Sequence, residues 1–120
     1  MWPRQVPADL PKPPGAVIEK VDRTSSGVTV VRFSVPSSLS NGVLFVVNEF
    51  KKHGYVIGRG DAEVTEADAP FQRGRLRGLV RILSKSACST LWLMAVGTTG
   101  GAPFAPNYSP PPSASPLPFG

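Results

Sequence analysis

The sequence predicts an α+β domain: a single antiparallel sheet of about five strands with one helix on one face, in the order ββαβββ. Three observations lead there. Residues 28–35 alternate, with Thr29, Val31, Phe33 and Val35 on one side and Arg32 and Ser34 on the other, as in a strand with one dry face. Leu39, Val43, Val46, Val47 and Phe50 then recur at i, i+4, i+7, i+8 and i+11, which is one apolar stripe at helical period. Finally, of 14 prolines only Pro36 and Pro70 fall inside the chain's middle. Prolines fix φ and lack a backbone donor, so their crowding confines a hydrogen-bonded core to the remainder.

The boundaries follow: a proline-rich N-terminal arm over residues 1–14, a compact α+β domain over 15–97, and a proline-rich C-terminal tail over 98–120. Both ends are expected in extended or polyproline II form. A core of about 80 residues buries only about 60% of its unfolded surface, so modest stability is expected.

The first strand is placed at 16–22 (AVIEKVD), and Ser25-Ser26-Gly27 supplies the turn into 28–35. Pro36 stops that strand, and Ser37 or Ser38 caps the helix by accepting from its first free N–H groups. Lys51, Lys52 and His53 suit a helix C-terminus, and Gly54 suits the left-handed residue that ends it. Residues 55–66 and 71–83 are expected as a hairpin, with Ala67-Asp68-Ala69-Pro70 as its turn and a bulge at Gly58 or Gly60. Residues 84–89 read as a loop and 90–96 (TLWLMAV) as a final, very apolar strand. A right-handed crossover of the helix over the first strand gives the spatial order 2-1-3-4-5, with every neighbouring pair antiparallel.

Chemistry-bearing residues are sparse. One cysteine, Cys88, excludes an internal disulfide and a cysteine metal cluster, and one histidine, His53, leaves no basis for most zinc or proton-relay schemes. Cys88 has no base near it in the sequence and is expected as a shielded, inert thiol ahead of an apolar strand. Asp61, Glu63, Glu66 and Asp68 fall in a charged hairpin rather than in a paired-carboxylate arrangement. Arg59-Gly60-Asp61 spells an adhesion tripeptide but falls in a strand or bulge. The expectation is a protein without catalytic residues, metal or cofactor.

Two patterns carry binding hypotheses. Arg73, Arg75, Arg77 and Arg81 share parity, so on one strand they form a row facing away from Leu76, Val80 and Ile82. With a net charge of +5, such a row is a candidate for tracking a polyanion or nucleic acid. Cross-strand pairing with Asp61 and Glu63 is the competing expectation. In the final strand Trp92, Met94 and Val96 oppose Leu91, Leu93 and Ala95. A single helix dries only one face, so something outside the core fold must cover the other. Trp92 and Met94, with Phe104, Tyr108 and Phe119 of the tail, are therefore the candidate residues for a protein partner or a second copy. Docked polyproline segments lose little entropy, which favours the same reading.

No run of about 18 apolar residues is present, so no membrane span is expected within the chain. Nor is Met1-Trp2-Pro3-Arg4 followed by an apolar signal core. The opening Leu10-Pro11-Lys12-Pro13-Pro14-Gly15-Ala16-Val17, together with the His53-Gly54-Tyr55 step after the helix, resembles small secreted or lipid-anchored cell-envelope domains of actinobacteria. That resemblance covers the first half of the chain. It implies an extracytoplasmic or envelope setting and brings no catalytic residues. The resulting expectation is a non-catalytic structural or interaction domain, a subunit or accessory of a larger assembly, with the polyanion-binding module as the alternative.

Overall fold

The most apolar strand of the chain sits in the middle of its sheet. A computed structural model describes residues 2–98. It contains β1 (Val17–Arg23), β2 (Thr29–Val35), a helix α1 (Leu39–Phe45) that continues as a π-helical turn (Val46–Phe50), β3 (Val56–Ile57), β4 (Asp61–Ala62), β5 (Glu66–Arg73), β6 (Leu76–Ser86) and β7 (Ser89–Thr98). The α+β class and the antiparallel sheet agree with expectation. The strand count is seven rather than five, and Thr98 ends a strand instead of opening the tail.

The strand order is β1-β2-β7-β6-β5-β3, with β4 also pairing β5. This replaces the expected 2-1-3-4-5. The helical stretch 39–52 is roughly 20 Å long at about 1.5 Å per residue. That nearly equals the roughly 19 Å spanned by four strand spacings of about 4.8 Å, the distance from β2 to β3. The helix therefore carries the chain to the far edge, and a meander through β5 and β6 returns β7 to pair with β2. Helix and return hairpins together place Trp92, Met94 and Val96 at the centre, where each is at most 2% exposed.

Local signals hold where they are short-range. The Ser38 hydroxyl accepts from the Asn41 N–H at 3.2 Å, and Gly54 adopts φ +86° after the helix. Val43, Val46 and Phe50 are buried against the sheet, with Leu39 and Val47 partly buried beside them. Inside the core, Trp92 Nε1 donates to Thr90 Oγ1 at 2.9 Å, so the buried indole is satisfied.

The hairpin around residue 70 forms elsewhere. Residues 67–70 are strand interior in β5, and the reversal is Gly74-Arg75, between the paired Arg73 and Leu76. Gly74 has φ +60° while Arg75 has none of that sign, which suits a two-residue turn with glycine first. Pro70 is tolerated because its missing N–H faces the interrupted edge between β3 and β4. There its carbonyl accepts from Gly58 N–H at 2.9 Å. A Cβ on Gly58 would meet Pro70 Cγ at 2.8 Å, so this approach requires glycine. The expected 84–89 loop shrinks to a turn at Ala87-Cys88, which leaves Cys88 exposed rather than shielded.

The N-terminal stretch is not a free arm. Trp2, Val6 and Leu10 belong to the main core at 8%, 3% and 2% exposure. Three turns build it, in which the carbonyls of Pro3, Pro7 and Pro13 accept from Val6, Leu10 and Ala16. Proline lacks a donor but keeps its acceptor, so a proline at the start of each turn costs no hydrogen bond. Trp2 Nε1 donates to the Leu10 carbonyl at 2.6 Å, and its ring meets Phe33 edge-on at 5.4 Å. The stretch covers the part of the sheet that the helix leaves bare. Trp2→Ala is expected to lower the unfolding free energy by about 3 kcal/mol, read from urea denaturation. An unchanged midpoint would mean the arm contributes nothing to folding.

Candidate interaction surface

The sheet has one dry face and one open face. Burial alternates along β2, β6 and β7, and the inward set packs on the helix and the N-terminal stretch. On the outward set no described element packs. Three of its rows hold the central part of the face and follow from strand register. The central row runs Lys20, Arg32, Leu93, Arg81, Asp68, Asp61 across β1, β2, β7, β6, β5 and β4. One flanking row runs Asp22, Val30, Ala95, Leu79, Pro70, and the other Val17, Ser34, Leu91, Leu83, Glu66. Leu79, Leu83, Leu91, Leu93 and Ala95 thus form a contiguous half-buried apolar band along β6 and β7.

Charge flanks the band on both sides. Arg32 Nε lies 3.3 Å from Glu19 Oε1, and Lys20 Nζ lies 3.6 Å from Asp22 Oδ2. Across the band Arg81 reaches Asp68 at 3.7 Å and Glu66 at 3.9 Å. Burial pushes the Asp68 carboxyl above its ordinary value. Arg81 opposes that rise, while Asp61 and Glu66 add to it.

The candidate residues are redistributed by this geometry. Trp92 and Met94, expected at a partner interface, are 0% and 1% exposed inside the core. The partner of β7's inward face is the chain's own helix, so the outward residues are Leu91, Leu93 and Ala95. Phe104, Tyr108 and Phe119 lie outside the described residues.

The four arginines do not form one row, because the Gly74-Arg75 turn divides them. Only Arg77 and Arg81 share the open face. Arg77 Nη1 donates to Gln72 Oε1 at 2.7 Å, while its buried Nε has no hydrogen-bond partner among the described residues. Arg81 pairs with Glu66 and Asp68, not with Asp61 and Glu63 as expected. Arg75 sits exposed in the turn.

Arg73 lies on the helix side. There its guanidinium holds both Asp9 oxygens at 2.8 and 3.0 Å, donates to the His53 carbonyl at 3.0 Å, and covers the Tyr55 ring at 4.3 Å. Its hydrogen bond holds the Asp9 carboxyl below the ordinary range. Desolvation pushes the buried Tyr55 hydroxyl up.

The remaining candidates stay apart. His53 Nδ1 lies 3.0 Å from the Glu49 carbonyl at the helix end, and Cys88 sits at the tip of the β6/β7 hairpin. Asp61 is paired in β4 opposite Asp68. Among the described residues no group of three or more His, Cys, Asp or Glu is placed to hold a metal, and no helix is long and apolar enough to cross a membrane. The apolar band is the feature least visible beforehand as a surface, although the parity of Leu91, Leu93 and Ala95 was its signal. No family model matches the chain, and no curated protein or solved structure matches it either.

Asp9 and Asp68 have opposite pH signatures. Asp9's folded pKa is depressed, so its contribution to stability is present above the unfolded value and lost as pH falls through the folded one. Asp68's folded pKa is raised, so the native state gains from holding that proton at low pH and loses the gain as pH climbs through the raised value. Asp68→Asn should therefore flatten the mildly acidic decline of the melting temperature and match or exceed the parent at neutral pH. Asp9→Asn should instead flatten the loss at lower pH. A profile unchanged by either substitution would refute these assignments.

Proposed function

We propose that this protein is a non-catalytic interaction domain that docks the open face of its sheet on protein, as a subunit or accessory of a larger assembly at the cell envelope. The observation that carries this reading is the apolar band on β6 and β7, bounded by charge and left bare by every described element. An apolar centre with a charged rim is the composition of a protein interface. Sheets of this kind are usually apolar on one face and polar on the other, so three leucines and an alanine around Leu93 need a reason. The envelope setting draws its support from the Leu10 to Val17 entry and the His53-Gly54-Tyr55 step.

Substituting a photo-cross-linking residue at Leu93 or Leu83 should yield covalent protein adducts in the native cell. The same residue at Leu44, 51% exposed on the outer side of the helix, should yield none. Leu93→Lys should abolish adducts formed from Leu83 while leaving the melting temperature within a few degrees. Adducts from Leu44 alone, or from none of the three positions, would overturn the proposal.

A further inference from the structure

The geometry points to a second copy of this chain as the occupant of the open face, packed sheet on sheet about a two-fold axis that runs along the β6/β7 seam. The inference rests on the docking reading above and names its partner. It follows from testing these three rows for self-complementarity, since a two-fold interface must present one patch to itself.

An axis between the sheets, parallel to the strands and over the β6/β7 seam, sets β7 over β6 of the other copy, β2 over β5, and β1 over β4. In the central row Arg32 then faces Asp68 of the second copy, Lys20 faces Asp61, and Leu93 lies over the aliphatic stem of Arg81. In the flanking rows Leu91 faces Leu83, Ala95 faces Leu79, and Val30 faces Pro70, while Ser34 faces the Glu66 carboxylate as a hydrogen-bond donor. Two opposite-charge pairs form in each half, and no like charges face one another within these rows.

Symmetric choices centred on a single strand or on the central row do worse. An axis over β7 brings Arg32 onto Arg81, and an axis over β6 brings Arg81 onto itself. An in-plane axis across the strands sets each strand against itself, and where that axis lies on the central row it stacks like charge on like charge. Like charges facing each other at an interface are strongly disfavoured.

The intrachain pairs of Arg32 with Glu19 and of Lys20 with Asp22 are exposed and contribute little, so both cations are free to turn toward the opposing acids. Sheets packed face to face lie about 10 Å apart with mean strand directions within about 30° of each other, and the near-parallel strands this axis gives fall inside that range.

The hairpin tip gives an independent mark. Ala87-Cys88 caps the β6/β7 seam, so the axis passes beside it and brings the two copies' tips to the same end of the dimer. Cys88 is exposed there and uncommitted in the chain's chemistry. In this arrangement the two Cys88 thiols lie near each other across the axis.

The test uses the full chain in analytical ultracentrifugation across a micromolar concentration series. The parent should dimerise. Arg32→Asp alone and Asp68→Arg alone should each weaken self-association about tenfold or more, while circular dichroism stays unchanged. An equimolar mixture of the two variants should recover the parent's affinity, because each mixed dimer holds one native contact and one reversed contact. Should either variant fail to fold, the unmodified chain still decides. A short bismaleimide should join two copies through Cys88, and not through a cysteine placed at Lys52 in a Cys88→Ser background.

Variants that dimerise like the parent, or a mixture that gains nothing, would overturn the inference. A monomeric parent that cross-links another protein from Leu93 would overturn the second copy and leave the docking face standing. A monomer whose position 93 cross-links to its own residues 99–120 would name that segment instead and overturn the inference as well. A dimer insensitive to both reversals, with no adduct from Leu93, would overturn both readings.

Discussion

A continuous run of ring contacts holds this domain together. Trp2 meets Phe33 at 5.4 Å, Phe33 meets Trp92 at 5.4 Å, Trp92 meets Phe45 at 6.4 Å, Phe45 meets Phe50 at 6.5 Å, and Phe50 meets Phe71 at 5.2 Å. The run passes from the N-terminal stretch through β2 and β7, up into the helix, and down again to β5. Each ring buries a large apolar area and adds an edge or tilted contact to it. In a sheet dried on one face only, these rings make up much of the side-chain volume available for cohesion. The position of every other element depends on keeping them in register.

The N-terminal stretch shows how that dependence works at a distance. Its prolines serve as turn acceptors, its Trp2 closes the run of rings, and its Asp9 is gripped by Arg73 in a bidentate pair that also reaches the His53 carbonyl. One arginine thereby joins the start of the chain, the end of the helix and the end of β5. Bidentate guanidinium–carboxylate geometry adds orientation as well as attraction. Its exposure keeps the energetic return modest. The pair's value lies in placing the stretch over the sheet area beyond the helix.

Because all of this packing is on one side, the other side of the sheet is free to carry a surface. Its apolar band, flanked by Lys20 and Arg32 on β1 and β2 and by Glu66, Asp68 and Asp61 on β5 and β4, is a consequence of register rather than of any local motif. Residues 61 positions apart in sequence, such as Arg32 and Leu93, are neighbours there only because β7 inserts beside β2. The same insertion removed Trp92 and Met94 from the list of surface residues and put Leu93 in their place.

The sequence by itself determined what depends on near neighbours. The strand at 28–35, the Ser38 cap, the apolar helix stripe and the Gly54 stop were legible because a strand's parity and a helix's first and last turns are satisfied within a few residues. The inward parity of Val80 and Ile82 and the split faces of the last strand were legible for the same reason. What the tertiary structure alone decided was pairing. Ala67 to Pro70 looked like a turn because proline and aspartate favour turns in isolation. Opposite a broken edge strand, Pro70 gives up no hydrogen bond and stays in β5. Moving the reversal to Gly74 then sent Arg73 to one face and Arg77 to the other, which dissolved the arginine row. The proline-rich start read as an extended or polyproline II arm because its prolines lack donors. Its carbonyls, and the bare patch beside Phe33 that Trp2 fills, became relevant only once the sheet existed to receive them. Local periodicity specifies which side chains share a face, but the partner of that face is set by long-range packing that no short window contains.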